Sequence, residues 1–286
     1  MTTGITALPF RIFDLRVLRV ARLSPSFIRI TFGGADVADV RCGGRDQRVK
    51  LFLPHPGQDT PVLPDDRDGD WFGQWRAMDP ATRAVMRTYT VREHRKDSSE
   101  LDIDFAVHGS GGGAASQWAL EVGVGSRVAL LAPVNEDNGA VDFRPPPDTD
   151  WVLLTADETA VPAVEAILSW LPATMRARVW LEVARAQDIR ELPTEAQAEI
   201  TWLIREAENG KPDEVLSAVR GARLPSGKPY AWIAGEAADV RELRRHLLRE
   251  RGFERDAVVF TGYWRRGAGE DDVLAERLSD GAPDQD

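Results

Sequence analysis

Arginine, threonine and tyrosine alternate in the stretch Arg87-Thr88-Tyr89-Thr90-Val91-Arg92. In an extended chain Arg87, Tyr89 and Val91 share one face, and Thr88, Thr90 and Arg92 share the other. A guanidinium is planar, permanently charged and able to bind two oxygens at once, which suits Arg87 to a phosphate. Tyr89 could stack on a planar ring, and Thr90 could hydrogen-bond that ring's polar edge. An edge strand with snorkelling arginines has the same composition, so the hexapeptide alone leaves both readings open.

A second motif follows. The segment 101–119 runs from an alternating strand containing Asp104 into His108 and Gly109, then Gly111, Gly112 and Gly113, then a helix. The glycines let the backbone turn tightly and approach a ligand. The helix start at Ala114, Ala115 and Ser116 offers backbone N–H groups and a positive dipole end, an anion site. On neighbouring strands the two motifs could grip one diphosphate. A glycine-rich loop with no ligand remains the plain alternative.

Further along, Thr155-Ala156-Asp157-Glu158-Thr159 ends a buried apolar run and opens a helix, where a dinucleotide fold would carry G-x-G-x-x-G. The turn can frame a ligand, cap the helix, or do both. Glu182 and Arg185 follow the next strand pattern and could meet a nucleotide's ribose or its 2′-phosphate, with surface salt-bridging as the plainer role. His246 falls on the polar side of a helix pattern and is expected to be exposed. Trp71, Phe72 and Trp75 are expected to form a local apolar cluster in a long surface loop.

These residues need elements to hold them. Up to residue 142 the chain alternates apolar and polar residues in six short runs separated by Gly, Pro and Asp, which predicts a six-stranded antiparallel barrel with one helix near 114–121. Phe143-Arg144-Pro145-Pro146-Pro147 can continue neither a helix nor a central strand. After it, apolar runs alternate with helical periodicity, which predicts a parallel α/β sheet. One run, 199–206, reads as either strand or short helix, and the acidic tail could hold a short helix near 270–278. The expected domains are 1–145, the barrel, and 146–286, the α/β domain with its tail.

Composition narrows the function. At 286 residues the chain exceeds what one core usually serves. A net charge of −10, with no long Lys/Arg run, argues against nucleic acid as a partner. No stretch approaches the roughly 20 apolar residues that span a bilayer. The start lacks the pattern of a signal peptide, so the expectation is a cytoplasmic protein, with a monomer favoured. A lone Cys42 and four scattered histidines provide no cysteine-based cluster and no metal-ligand spacing, so no protein-bound metal is expected.

Taken in order, the motifs resemble the siderophore-interacting, FAD-dependent ferric-chelate reductases of the wider ferredoxin-NADP reductase-like group. The resemblance covers roughly residues 10 to 266 and rests on five boxes: Arg87-x-Tyr89-Thr90-x-Arg92; His108-Gly109 with Gly113, Ala114, Ala115, Ser116, Trp118 and Ala119; 156–163; 234–236; and 262–267. It departs at Ala114, where proline is usual, and in a spacer after His108 that is one residue longer than the family's. The resemblance implies a Greek-key FAD-binding barrel followed by an NAD(P)H-binding domain. Residues 87–92, with Asp104, His108, Gly109, Gly113–Ser116 and Trp118, would hold FAD. Thr155, Asp157, Glu158 and Thr159 would frame the nicotinamide of NADPH or NADH. Lys50, Arg265 and Arg266 would present cations to an anionic ferric siderophore, while Tyr263 and Trp264 would pack against the flavin or the domain seam. The implied reaction passes a hydride from NAD(P)H to FAD and single electrons on to Fe(III), with no side chain required as acid or base. A flavin reductase serving another acceptor, and a siderophore carrier without turnover, are the alternatives.

Overall fold

A computed structural model of the chain describes residues 9–65, 70–107, 112–205 and 214–268. The first sheet is antiparallel and has seven strands: β1 (Phe10–Ser24), β2 (Phe27–Gly33), β3 (Arg48–Leu53), β4 (Val85–Thr90), β5 (Glu93–Arg95), β6 (Glu100–Ala106) and β7 (Arg127–Pro133). Their order is β4-β3-β7-β1-β2-β6-β5. β4 stands at one edge, yet its Tyr89 ring lies 4.4 Å from that of Phe105 on β6, near the other edge. The sheet therefore curls around one core, in which Leu15, Ile30, Phe32, Leu51, Ile103, Phe105 and Leu130 are wholly or almost wholly buried.

Seven strands replace the six expected because 86–94 is not one strand. Val91 N–H donates to Gln47 O, but Arg92 N–H donates to Asp102 O, so the chain leaves β3 and crosses to β6. Periodicity cannot show that change of partner. The long segment before β4 also differs from a loop. Trp71–Ala77 forms helix α1, capped by Asp70, whose side chain accepts from Gly73 N–H. Trp75 is buried against Phe52 and Met86 and gives its indole N–H to Ala84 O at 3.0 Å. The apolar cluster expected there is real, and a helix carries it.

The second sheet is parallel, with β8 (Trp151–Ala156), β9 (Arg176–Val183), β10 (Gln197–Ile204), β11 (Pro229–Glu236) and β12 (Val258–Trp264) in the order β10-β9-β8-β11-β12. The 199–206 run is thus a strand through Ile204, with Arg205 in the turn that follows. Helices α3 (Val161–Trp170), α4 (Glu214–Gly221) and α5 (Ala237–Arg249) connect the strands, and α2 (Ala114–Glu121) belongs to the barrel. Winding reverses between β8 and β11, and in open α/β sheets ligands bind outside the carboxyl ends of the strands at that point. His246 is buried at 3% exposure, not exposed as its helix position predicts. Its ring sits under Arg251, whose guanidinium Nε lies 3.2 Å from Nε2. The proposed helix near 270–278 lies outside the described residues.

Barrel and sheet are joined by charge. Glu165 on α3 accepts from Arg92 at 2.5 Å and from Arg190 at 2.8 Å. Arg190 also reaches Asp104 on β6, and Asp188 accepts from Ser24 Oγ and Ser26 N–H. The proline segment is equally anchored: Phe143 is fully buried, and Asp46 accepts from Phe143 N–H and from the Trp232 indole.

Candidate active site

In the antiparallel β3–β4 pair, Arg87 lies opposite Leu51, Tyr89 opposite Val49, Thr88 opposite Lys50 and Thr90 opposite Arg48. Directly opposed residues share a face. Arg87 and Tyr89 therefore stand on the barrel-core side, and Lys50, Thr88 and Thr90 stand on the other. Val91 is buried in the barrel core. Tyr89 is half-buried, with its ring tilted against Phe105. Arg87 donates to its neighbour Met86 O at 2.7 Å, and Lys50 Nζ donates to Thr88 Oγ1 at 3.1 Å.

Thr90 marks the place where the two domains meet. Its hydroxyl is buried without a hydrogen-bond partner, and so is the phenol of Tyr263 on β12. The two hydroxyls are neighbours, and burial drives the Tyr263 phenol well above its ordinary pKa. Buried polar atoms are nearly always paired, because an orphan costs about 1–3 kcal/mol. Facing each other at the seam, the two hydroxyls can pair with each other, and each keeps hydrogen-bonding capacity that a ligand with a polar edge could use.

The start of α2 is similarly open. Gly113 is its N-cap and contributes no capping side chain; a Cβ there would meet nothing within 4 Å. Ala114 occupies the first helical position, where proline merely presets φ, so its replacement leaves the helix start intact. Ala115 and Ser116 are buried, and Trp118 stacks on Phe32 at 6.5 Å between centroids. His108 and Gly109 lie outside the described residues.

Two residues assigned to ligand contact are placed differently. Asp104 is fully buried, and both its oxygens accept from Arg29, at 2.7 and 2.9 Å, with Arg190 at 3.3 Å. Arg92 lies past the end of β4, in the ion pair with Glu165. Both residues fasten the structure around the site. Their partners lie far away in sequence, so no local pattern could reveal them.

On the α/β side, a cavity of about 320 Å³ opens at the carboxyl ends of β8 and β11. Asp157 shapes its edge. One carboxylate oxygen accepts from Thr159 N–H at 2.9 Å and Thr159 Oγ1 at 2.5 Å; the other accepts from the Trp264 indole at 2.6 Å. Burial and the adjacent Glu158 charge push the Asp157 carboxyl up to about 6. Gly235, at φ 145°, passes beside it, where a Cβ would sit 2.7 Å from Asp157 Oδ2. Only glycine lets β11 end there. Glu158 is buried beneath Arg205, which also bonds Glu182 at 2.6 Å. Glu236 caps α5 by accepting from Ala238 and Asp239 N–H groups, and it also accepts from Arg266 N–H at 3.1 Å. The bonds from Trp264 and Arg266 hold the end of β12 at the cavity, where Arg265 and Arg266 follow Tyr263 along the chain, while Lys50 shares the face of Thr88 and Thr90 on the β3–β4 pair. Sequence reasoning overlooked Arg205 and Glu165, since neither falls within a motif.

Residues 16–137 match the model of the siderophore-interacting FAD-binding domain, and residues 149–267 match that of the siderophore-interacting protein. Over 267 residues the chain is 33% identical to the ferric vibriobactin reductase ViuB of Vibrio cholerae, covering 92% of this chain and 93% of that protein. The chain belongs to the siderophore-interacting protein family. Its structure is similar to that of the siderophore utilization protein from T. fusca, with a TM-score of 0.78 and 34% identity over 92% of this chain and 95% of that one. It is also similar, at 26% identity over 89% of its length and 93% of the other's, to the NADPH-dependent ferric-chelate reductase of Escherichia coli. Of the family's two matched segments, the first holds the open helix start and the buried Thr90 hydroxyl, and the second holds the cavity.

Proposed function

We propose that this chain is an FAD-dependent ferric-siderophore reductase, acting on its ferric siderophore in the cytoplasm, with the domain boundary at 145/146. The observation that carries the reading is the cavity at the switch point of the parallel sheet, together with the buried Thr90 and Tyr263 hydroxyls that face each other where barrel and sheet meet and the open helix start at Gly113 on the barrel. These groups fit FAD: Arg87 and the N–H groups at Ala114–Ser116 would hold its diphosphate, and Thr90 its polar ring edge. Bound there, FAD supplies the redox chemistry, accepting a hydride from NAD(P)H and releasing electrons singly to Fe(III).

The chain's own work is placement and charge. Arg87 and the α2 start offset the diphosphate. Tyr89, backed by Phe105, covers a ring face. Tyr263 and Trp264 close the seam from the α/β side, and the Trp264–Asp157 bond fixes the turn that would meet the nicotinamide. Lys50 and Arg266 are cations on a protein of net charge −10, so an anionic chelate would be drawn to them. Reduced iron is held less tightly by hard oxygen ligands and leaves the chelator.

A Lys50→Ala/Arg266→Ala double variant tests this reading. FAD content should match the wild type, while kcat/KM for an anionic ferric siderophore should fall on the order of tenfold or more, with a weaker dependence on ionic strength. An unchanged kcat/KM and an unchanged salt slope would remove the cation pair from the reaction.

A further inference from the structure

Resting on the reductase reading above, we propose that the cavity is built for NADH and selects against NADPH, with Glu182 accepting the adenosine ribose diol and Arg205 withheld from phosphate recognition. Arg205 follows β10 at the carboxyl edge of the sheet, where it would be the natural reader of a 2′-phosphate. Guanidinium groups read phosphate with their two-toothed edge. Here that edge is already spent: Nη1 and Nη2 both donate to buried Glu158, and Nε donates to Glu182 at 2.6 Å.

Glu182 stands at the end of the second strand of the domain and lines the cavity. In nucleotide folds an acidic residue after the second strand hydrogen-bonds the ribose 2′-hydroxyl of NAD. Glu182 has one oxygen turned to Arg205, which fixes its rotamer and leaves the other to accept from the diol.

The surrounding charge points the same way. Among the described residues, the cavity lining adds Glu236, Asp239 and Glu242 to Glu182, and Arg266 is the other guanidinium on it. A 2′-phosphate would bring about two further negative charges into this field. Like-charge juxtaposition weakens binding of the phosphorylated nucleotide relative to its unphosphorylated counterpart. The apolar floor, from Leu216 on α4 and Leu243 on α5, is indifferent to the difference and suits an adenine ring.

The test is calorimetric titration of the FAD-loaded protein with NAD⁺ and NADP⁺, alongside anaerobic flavin bleaching by limiting NADH or NADPH. NADP⁺ should bind at least tenfold more weakly than NAD⁺, and NADPH should bleach correspondingly more slowly. Glu182→Gln, folded as judged by its flavin content, should narrow the NAD⁺/NADP⁺ ratio several-fold. NADP⁺ binding as tightly as NAD⁺ would overturn the proposal, and so would an unchanged ratio in Glu182→Gln. If both nucleotides bleach the flavin equally, only the selectivity falls; if neither binds nor bleaches, the reductase reading falls with it.

Discussion

Arg87→Ala is expected to leave the purified protein nearly free of flavin. Arg87 lies within β4 on the barrel-core side, and its Nη1 donates to Met86 O at 2.7 Å. Charged hydrogen bonds contribute about 1.5–3 kcal/mol each, so losing a bidentate pair to a phosphate would weaken binding on the order of a hundredfold or more. The helix start at Ala114–Ser116 would remain and could not replace the lost charge on an acidic protein. Flavin absorbance relative to protein absorbance reads the effect, and fluorescence titration with added FAD gives its size. Arg87→Lys should fall between, keeping the charge and losing the fork. Flavin retained at wild-type occupancy in Arg87→Ala would show that another group holds the diphosphate.

Glu165→Ala is expected to be the most destabilising single change at the domain seam, by about 3–5 kcal/mol, because it strands two poorly exposed guanidiniums. Arg92 and Arg190 both donate to Glu165, with side chains 12% and 19% exposed against 7% for the carboxylate. Arg92 and Arg190 hold the Glu165 carboxyl below its ordinary value of 4.5 despite burial. A depressed carboxyl pKa contributes stability that is fully present above 4.5 and is lost as pH falls through the folded value. The gap in denaturation midpoint between wild type and Glu165→Ala should therefore be widest near neutrality and shrink on acidification below 4.5. A gap that is small at pH 7, or constant with pH, would mean that the pair contributes little to the seam.

How much of this was legible in the sequence depended on range. Local chemistry was readable: the Gly113–Ala114 helix start, the 155–159 turn and the alternation of the barrel strands all lie where propensity and periodicity put them. Long-range pairing was not. The break of 86–94 into β4 and β5 comes from Arg92 N–H finding Asp102 O, and the Arg92–Glu165–Arg190–Asp104 chain joins residues that no window contains. His246 misled because a charged helix pattern predicts exposure, while the packing of α5 against α4 and the sheet covers that position. Trp75 misled in the other sense, since glycines and aspartates around it masked a short capped helix.

The central claim is that barrel and sheet bring FAD, a nicotinamide and ferric iron into one electron path. The most direct measurement is anaerobic. The FAD-loaded protein is mixed with NADH or NADPH until the flavin absorbance bleaches, and a ferric siderophore is then titrated in. The account predicts that the oxidised flavin spectrum returns in proportion to the iron added, while a ferrous chelator reports Fe(II) appearing in step. Bleached flavin that stays bleached as ferric siderophore accumulates would contradict it.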